Sequence, residues 1–415
     1  MEPKFMLQPV DESKVSPEKL RSQADRLRAA LWELYYLPET GLLYDYRTSW
    51  DFEHRFDHLP SVREIAECKP NPCGWGSGME DSMINAGVTM DALTEACLLT
   101  SDPELVRRAA DIFKGMVNCA EVHGVRGFVA RSISPRDGRS VFPESSRDQY
   151  TNYVHGLWKF YHSSLSDRVQ KAKIREIMGN ICARLEAVIT PENDYTIPRI
   201  DGMKIHSTVC KMWNVEPHEA ARLPMIYAAG WDITGDSHWF NLYRRYAEDA
   251  LDQSQNLRTM NYVAYALYQM QCSLDVIYHL EPDAALREKC KKAMHLAAEY
   301  CEFNGWNVLF GEFLCDYHAL PPDWHTVTDF HGPPCGHRIP KFPYAYGDFS
   351  RRIRESWEAP LVQLMAPERN ISTRQVRLLK RMLAKVEPEN VSNITPYGLL
   401  APYYMALNRD SRIFE

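Results

Sequence analysis

Five times along this chain an aromatic- or alanine-rich stretch ends in a short turn and a charged stretch follows. The junctions read LLTSDPELVRRAADIF, YHSSLSDRVQKAKIREIM, GWDITGDSHWFNLYRRYAEDA, IYHLEPDAALREKCKKAM and LMAPERNISTRQVRLLKRML. The Asp, Ser and Pro residues in these turns are helix start signals, because a short oxygen-bearing side chain accepts the first free amides and proline costs nothing at a first turn. Each following helix carries Lys, Arg and Glu on one face, as a solvent-facing helix does. The preceding helices carry little charge, as helices covered on most sides would. SPEKLRSQADRLRAALWELYYL near the N-terminus adds a charged helix, and YGLLAPYYMALN near the C-terminus adds an apolar one. The chain therefore reads as six charged–apolar pairs, and no series of alternating strands competes with them.

A length of 415 residues exceeds the roughly 250–300 residues at which a single compact core stops growing. A ring escapes that limit. The expected fold is all-α, an (α/α)6 toroid of six helical hairpins with an inner apolar ring and an outer amphipathic one. It would form a single domain over 1–415, with 1–16 as an irregular N-terminal arm. Apolar-to-charged connections are short. Charged-to-apolar connections are long, at roughly 38–77, 124–147, 191–211 and 304–350, and they are rich in Gly, Pro, Trp, Tyr and His. In a ring they all fall on one rim, and long loops in a compact domain are usually functional.

The net charge of −7 provides no electrostatic footprint for nucleic acid. No stretch approaches the ~20 apolar residues of a membrane span. The first residues, MEPKFMLQPVDESKVSPEKL, show no secretory pattern. The 11 cysteines are odd in number, scattered and without a CxxC pair, and they read as reduced core residues. A cytoplasmic location is expected, or a periplasmic one if a leader is removed. The many loop aromatics point to a possible homo-oligomer.

The stretch GWGSGMEDSMINAGVTMDAL places Glu80 and Asp81 where a long loop enters an inner helix. In ESSRDQYTNYVHGLWKFY, Asp148 holds the same position. Asp81, Asn85 and Thr89, like Asp148 and Asn152, follow a spacing of four and share a helix face. Met79, Met83, Ala86, Met90, Leu93 and Cys97 form the packing stripe, so the polar ladders should face the lumen. Two carboxylates from different inner helices meet the requirement of glycosidic cleavage for an acid and a base or nucleophile. Capping competes with this role, since Ser77-x-x-Glu80 fits a capping box and Ser145-x-x-Asp148 a weaker one. A helix N-terminus also favours the ionised carboxylate, so an acid here needs burial or a like-charged neighbour.

With 10 Trp and 22 Tyr, flat apolar faces for sugar rings are plentiful. Trp75, Trp213 and Trp324 are the ligand candidates, with Trp306 also beside the rim and Trp158 more consistent with core. Basic groups at the rim are Arg147, His206, Lys211, His337, Arg351 and Arg352, with Arg351, Arg352 and Arg354 alternatively forming a solvated turn. Arginine forks suit a substrate carboxylate. The segment DYHALPPDWHTVTDFHGPPCGHRIP holds Asp316, His318, His325, His331, Cys335 and His337, but its spacings match no zinc pattern, and no metal is expected. No Walker loop, GxGxxG or GxSxG is present, so no cofactor is expected either.

Six helix pairs, with acidic residues opening inner helices in GWGSGMEDSMINAG and SSRDQYTNYVHGLW, resemble the (α/α)6-barrel glycoside hydrolases. The nearest in kind are the unsaturated glucuronyl and rhamnogalacturonyl hydrolases and the β-glucuronidases of glycoside hydrolase family 154. The resemblance implies that Asp81 and Asp148 correspond to the two aspartates that serve double-bond hydration in the unsaturated glucuronyl hydrolases. The Arg-Gly-x-x-Trp segment of those enzymes has no clear counterpart here, which favours direct hydrolysis of a saturated glucuronide. The expectation is a glycosidase acting on a terminal uronic acid. Asp148 and Asp81 would be the acid/base pair with Glu80 as alternate, and Arg351, Arg352 and His206 would sit at the substrate carboxylate. Sugar 2-epimerases, polysaccharide lyases and a non-catalytic carbohydrate-binding protein share the scaffold as alternatives.

Overall fold

The computed structural model describes residues 14–205, 208–258, 262–305, 320–331, 337–342 and 344–415. His206, Trp306, Asp316, His318 and Cys335 lie outside them, as does nearly all of the segment expected to be an N-terminal arm. The charged helices are α1 (Pro17–Leu34), α4 (Pro103–Glu121), α6 (Arg168–Val188), α8 (Ser237–Ser254), α10 (Ala284–Tyr300) and α12 (Thr373–Lys385). The apolar ones are α3 (Ser82–Leu99), α5 (Arg147–His162), α7 (Arg222–Thr234), α9 (Ala264–Leu280), α11 (Tyr344–Met365) and α13 (Leu400–Arg409); α2 (Val62–Ala66) is a short helix in the first long loop. Two small hairpins, β1 (Tyr36–Leu37) with β2 (Leu42–Leu43) and β3 (Phe330–His331) with β4 (Ile339–Pro340), are antiparallel.

The apolar helices close a ring. Helix α3 packs on α5, α5 on α7, α7 on α9, α9 on α11, α11 on α13, and α13 returns to α3. The architecture is the expected (α/α)6 toroid. Position in the ring explains the composition. Helix α3 has ring neighbours on both sides and α4 behind it, and Ser82–Gly87 and Val88–Ala96 are buried nearly throughout. Helix α4 buries one stripe, made of Leu105, Ala109, Ile112, Phe113, Gly115, Met116, Cys119 and Ala120. Each large apolar side chain in such a stripe contributes about 1.5–3 kcal/mol.

The turn signals act as expected. Asp102, Asp167, Asp236, Asp283 and Ser372 each accept a backbone amide at the start of an outer helix, and Ser16 does so for α1. Every inner-to-outer turn is short, so the inner helices run in one direction and present their N-terminal ends to the rim of long loops. Helices α3 and α5 approach most closely. A Cβ on Gly87 would lie 2.4 Å from Asn152 O, and one on Gly156 would lie 2.9 Å from the Gly87 Cα. This contact sets Asp81 and Asp148, at the starts of the two helices, on adjacent parts of the rim. Among the described residues, no helix is long and apolar enough to cross a membrane.

Candidate active site

A cavity of about 450 Å³ opens at this rim and is lined by residues of α3, α9, α11 and the first and last long loops. Asp81, Asn85 and Thr89 all line it, so the polar ladder of α3 faces the lumen. Asp45, Glu80, Tyr265, Arg351, Arg354, Glu355 and Glu358 are among the other charged and polar groups of its wall. Tyr46, Phe342, Trp357 and Tyr397 supply aromatic surface.

Three carboxyl groups cluster at the mouth. Asp45 comes from the first long loop, where its own backbone is stitched to the last one: its carbonyl accepts the Ile394 amide at 2.9 Å, and Arg47 N donates to Ser392 O at 2.8 Å. The Asp45 carboxylate then accepts the amides of Glu80 (2.8 Å) and Asp81 (3.2 Å) and the Asn85 side chain (2.8 Å). Asp45 thus terminates α3 from a distance of over thirty residues in sequence. The capping box expected from Ser77 and Glu80 does not form. Gly74, Gly76 and Gly78 all take positive φ and wind the loop tightly. Ser77 Oγ donates to Gly74 O at 2.6 Å, while the Glu80 carboxylate accepts the Gly76 amide. Asp81 accepts from Gln149 Nε2 at 3.1 Å, and the buried guanidinium of Arg131 stands 3.9 Å away.

Burial raises all three carboxyl groups, and neighbouring carboxylates add to it. Burial is the main cause for Asp45, followed by the charges of Asp81 and Glu80, and together they push it well above the usual range. Glu80 rises to about 7, through burial and then Asp81, against the pull of the Gly76 amide, Arg131 and Arg354. Burial raises Asp81 despite Arg354 and Arg131.

Asp148 is the opposite case. Burial pushes it up, but Arg222 and Arg147, with hydrogen bonds from Tyr265 and Arg222, outweigh burial and hold it at about 2. Its Oδ1 pairs with Arg222 and its Oδ2 accepts the Tyr265 hydroxyl at 2.7 Å. Tyr265 in turn lies beneath Arg354, whose Cζ is 4.1 Å from the ring centre, and Arg354 bonds Glu358 at 3.0 Å. Asp148 is therefore held just behind the wall that Tyr265 forms.

Other candidates take different places. Arg147 pairs with Glu219 and donates to Lys211 O at 3.1 Å, so it supports the Asp148 side of the rim without lining the cavity. Lys211 bonds the exposed Asp194. Asn152 was expected to continue the α5 ladder into the lumen; instead it is buried against Gly87 of α3 and donates to Asp148 O at 3.1 Å. The close α3–α5 contact turns that face inward. Arg351 lines the cavity and Arg352 does not. Trp213 packs on Tyr246, and Trp324 is buried, donates to His58 O at 2.8 Å and stacks on His325. Trp75 sits beside the cavity beneath Arg131, and Trp158 is core, bonded to Asp232. His325 bonds Asp323 and Glu64 at the surface, and His331 is exposed. His337 meets Glu144.

Sequence reasoning missed Asp45, Arg222, Tyr265 and Glu358, and it left Arg354 in a solvated turn. Arg222 is the first residue of α7 and Tyr265 the second of α9, the same ring position as Asp148 in α5. Extending the search from carboxylates to every residue at that position finds both. Asp45 carries no local signal.

No family model and no curated protein matches the chain. Among solved structures it is similar to a sugar epimerase from a ruminal bacterium, with a TM-score of 0.50 at 10% identity over 93% of this chain and 99% of that one. It is also similar to the cellobiose 2-epimerase from Spirochaeta thermophila DSM 6192 (0.49, 13%, 96% and 99%). A third similar structure is an α-1,6-mannanase from Salegentibacter sp. (0.37, 13%, 69% and 88%). At these identities the likeness is one of fold.

Proposed function

We propose that the protein is a glycoside hydrolase that removes a terminal uronic acid, a glucuronide-type residue, from an oligosaccharide or conjugate. The observation that carries this reading is the split between carboxyl groups of one rim, three at the cavity mouth and Asp148 just behind its Tyr265 wall. Glu80 titrates at about 7 beside the raised Asp45 and Asp81, while Asp148 titrates at about 2. Glycosidic cleavage needs a protonated and an ionised carboxyl group at the same pH. In this reading Asp81, with Glu80 as alternate, gives its proton to the glycosidic oxygen as the bond from that oxygen to the anomeric carbon breaks. Asp148 supplies the ionised carboxylate that accepts a proton from the attacking water, whose oxygen forms the new bond to the anomeric carbon. Arg351 and Arg354 on the cavity wall supply positive charge for the C6 carboxylate, and Tyr46, Trp357 and Tyr397 supply faces for the ring. A volume of about 450 Å³ falls within the usual range for a small-molecule site.

A second reading draws on the same cluster. A carboxyl group near 7 also suits a base that removes a proton beside a sugar carbonyl, and the fold is shared with a sugar epimerase. One assay separates the two. Aryl glycosides with and without a C6 carboxylate, together with free aldoses, are incubated with the protein and followed by aglycone release and by NMR of the sugar. The proposal expects aglycone release from glucuronides and little from glucosides. Equal release from both removes the uronate preference, and isomerisation of free sugars without release establishes the second reading.

A further inference from the structure

A second cluster of chemically reactive side chains lies beside the cavity and plays no part in the reading above. Cys73, Glu144 and His337 bring one sulfur, one carboxylate oxygen and one imidazole nitrogen within 4.8 Å of one another. Cys73 Sγ is 3.2 Å from Glu144 Oε2, and His337 Nε2 is 2.8 Å from the same oxygen. Cys73 and Glu144 are buried, and the His337 side chain is 13% exposed. The geometry points to a site for one divalent zinc-class ion, held by Cys73, Glu144 and His337 with a solvent molecule in the fourth position.

The donor set fits. Thiolate, imidazole and carboxylate together suit zinc, whose bond lengths of about 2.0–2.3 Å place tetrahedral ligand atoms about 3.3–3.6 Å apart. Two separations, 3.2 Å from sulfur to carboxylate and 2.8 Å from imidazole to carboxylate, are shorter than this, as expected where Glu144 accepts a hydrogen bond from each neighbour without an ion, and the sulfur and imidazole nitrogen lie within 4.8 Å of each other. Thiolate and carboxylate together carry two negative charges, which a dication neutralises inside a buried setting. The balance is simple: the Cys73 thiol releases its proton to solvent as the sulfur–metal bond forms, Glu144 is already ionised, and His337 binds as the neutral imidazole.

The backbone is arranged in advance. Asn71, itself buried, accepts the amides of Cys73 (3.2 Å) and Trp75 (3.0 Å) and donates to Arg338 O at 3.2 Å. The Glu144 amide donates to Pro72 O at 3.2 Å. Three rim segments far apart in sequence are thus laced together around the three ligand atoms. An ion here would clamp the loop that carries Gly76, whose amide holds the Glu80 carboxylate. The role assigned is therefore structural: a rim clip.

The test uses the intact protein produced in zinc-replete medium. Metal analysis should give one zinc per chain. Chelation should lower the melting temperature, and added zinc should restore it. Cobalt substitution should produce a thiolate-to-cobalt charge-transfer band. Cys73→Ser should remove that band and the bound metal, and His337→Ala should lose the metal as well, which keeps the test decisive if one variant fails to fold. Absence of zinc from the wild-type protein with no uptake on titration, or one equivalent retained in both variants, overturns the assignment. Neither result depends on whether a glycoside is cleaved.

Discussion

The Tyr265 hydroxyl donates to Asp148 Oδ2 at 2.7 Å, so the wall of the cavity and a strongly acidic carboxylate of the rim are one hydrogen-bonded unit. The Tyr265 hydroxyl itself stays protonated, because burial first and Asp148 second hold it well above the usual phenol range. Hydrogen bonds to a charged group are worth about 1.5–3 kcal/mol. Tyr265→Phe should therefore raise the Asp148 pKa, shift the acidic limb of the kcat/KM profile upward and lower activity about 10- to 100-fold. A profile with an unmoved acidic limb would separate Tyr265 from Asp148 function.

Asp148 and Asp81 also hold Arg222, Tyr265 and Gln149 in place, and asparagine keeps their size and one acceptor oxygen for those contacts. Asp148→Asn and Asp81→Asn should each reduce kcat by at least about 10³-fold, with circular dichroism and gel-filtration behaviour unchanged. The double variant should be little worse than the single ones, because residues acting as a unit are not additive. Full activity in Asp148→Asn removes that residue from the mechanism.

Glu80 links activity to stability through pH. Its folded-state pKa of about 7 lies above its ordinary value of 4.5, chiefly through burial and then Asp81. The folded state therefore binds the proton more tightly than the unfolded chain. The stability that Glu80 contributes is fully present below about pH 4.5 and is lost as pH rises through about 7. Glu80→Gln keeps the acceptor for the Gly76 amide and removes the ionisation. It should leave denaturant stability at pH 4 near that of the wild type and raise it at pH 8 by about 1–3 kcal/mol. Equal wild-type and variant stabilities at both pH values would show that the folded state does not bind the Glu80 proton more tightly than the unfolded chain.

The α3–α5 contact should tolerate no methyl group. A Cβ on Gly87 meets backbone 2.4 Å away, and overpacking of this kind costs about 1–3 kcal/mol. Gly87→Ala should lower the melting temperature and, by moving Asp81 relative to Asp148, reduce kcat. Gly179, in the outer helix α6, has nothing within 4 Å of the same position. Gly179→Ala should raise stability by about 0.4–1 kcal/mol with kcat unchanged. Thermal melts and initial rates on the two variants check both halves.

A buried cross-link holds the ring behind the cavity. His155 of α5 lies 3.3 Å from Asp91 of α3 and 3.0 Å from Asp275 of α9. Burial opposes its charge, but the two carboxylates raise its pKa well above the usual value. Its contribution is present below the unfolded histidine pKa and is lost as pH rises through the folded one. His155→Leu removes the cation shared by Asp91 and Asp275, leaving Asp275 with His279 at 3.4 Å, and should cost about 3–5 kcal/mol, measured by urea unfolding at neutral pH. A loss below about 1 kcal/mol would mean that the carboxylates are neutral or otherwise paired.

The ring and the rim were legible in the residues alone. Local signals were enough for that: Asp and Ser at the five turns, charge along one face of alternate helices, and short against long connections all act within a few residues of where they are read. The same locality made Asp81 and Asn85 legible as a lumen-facing ladder, since a spacing of four needs only one helix. Which groups meet depended on contacts between distant parts of the chain. Asp45 reaches α3 because its backbone pairs with residues 392–394 at the other end of the chain, and Tyr265 and Arg222 reach Asp148 from two other hairpins. Asn152 turned away from the lumen because two glycines let α3 and α5 approach to backbone contact. The protonation split across the rim follows from these long-range placements, because burial and the charge of a neighbour act through space and leave no trace in local spacing.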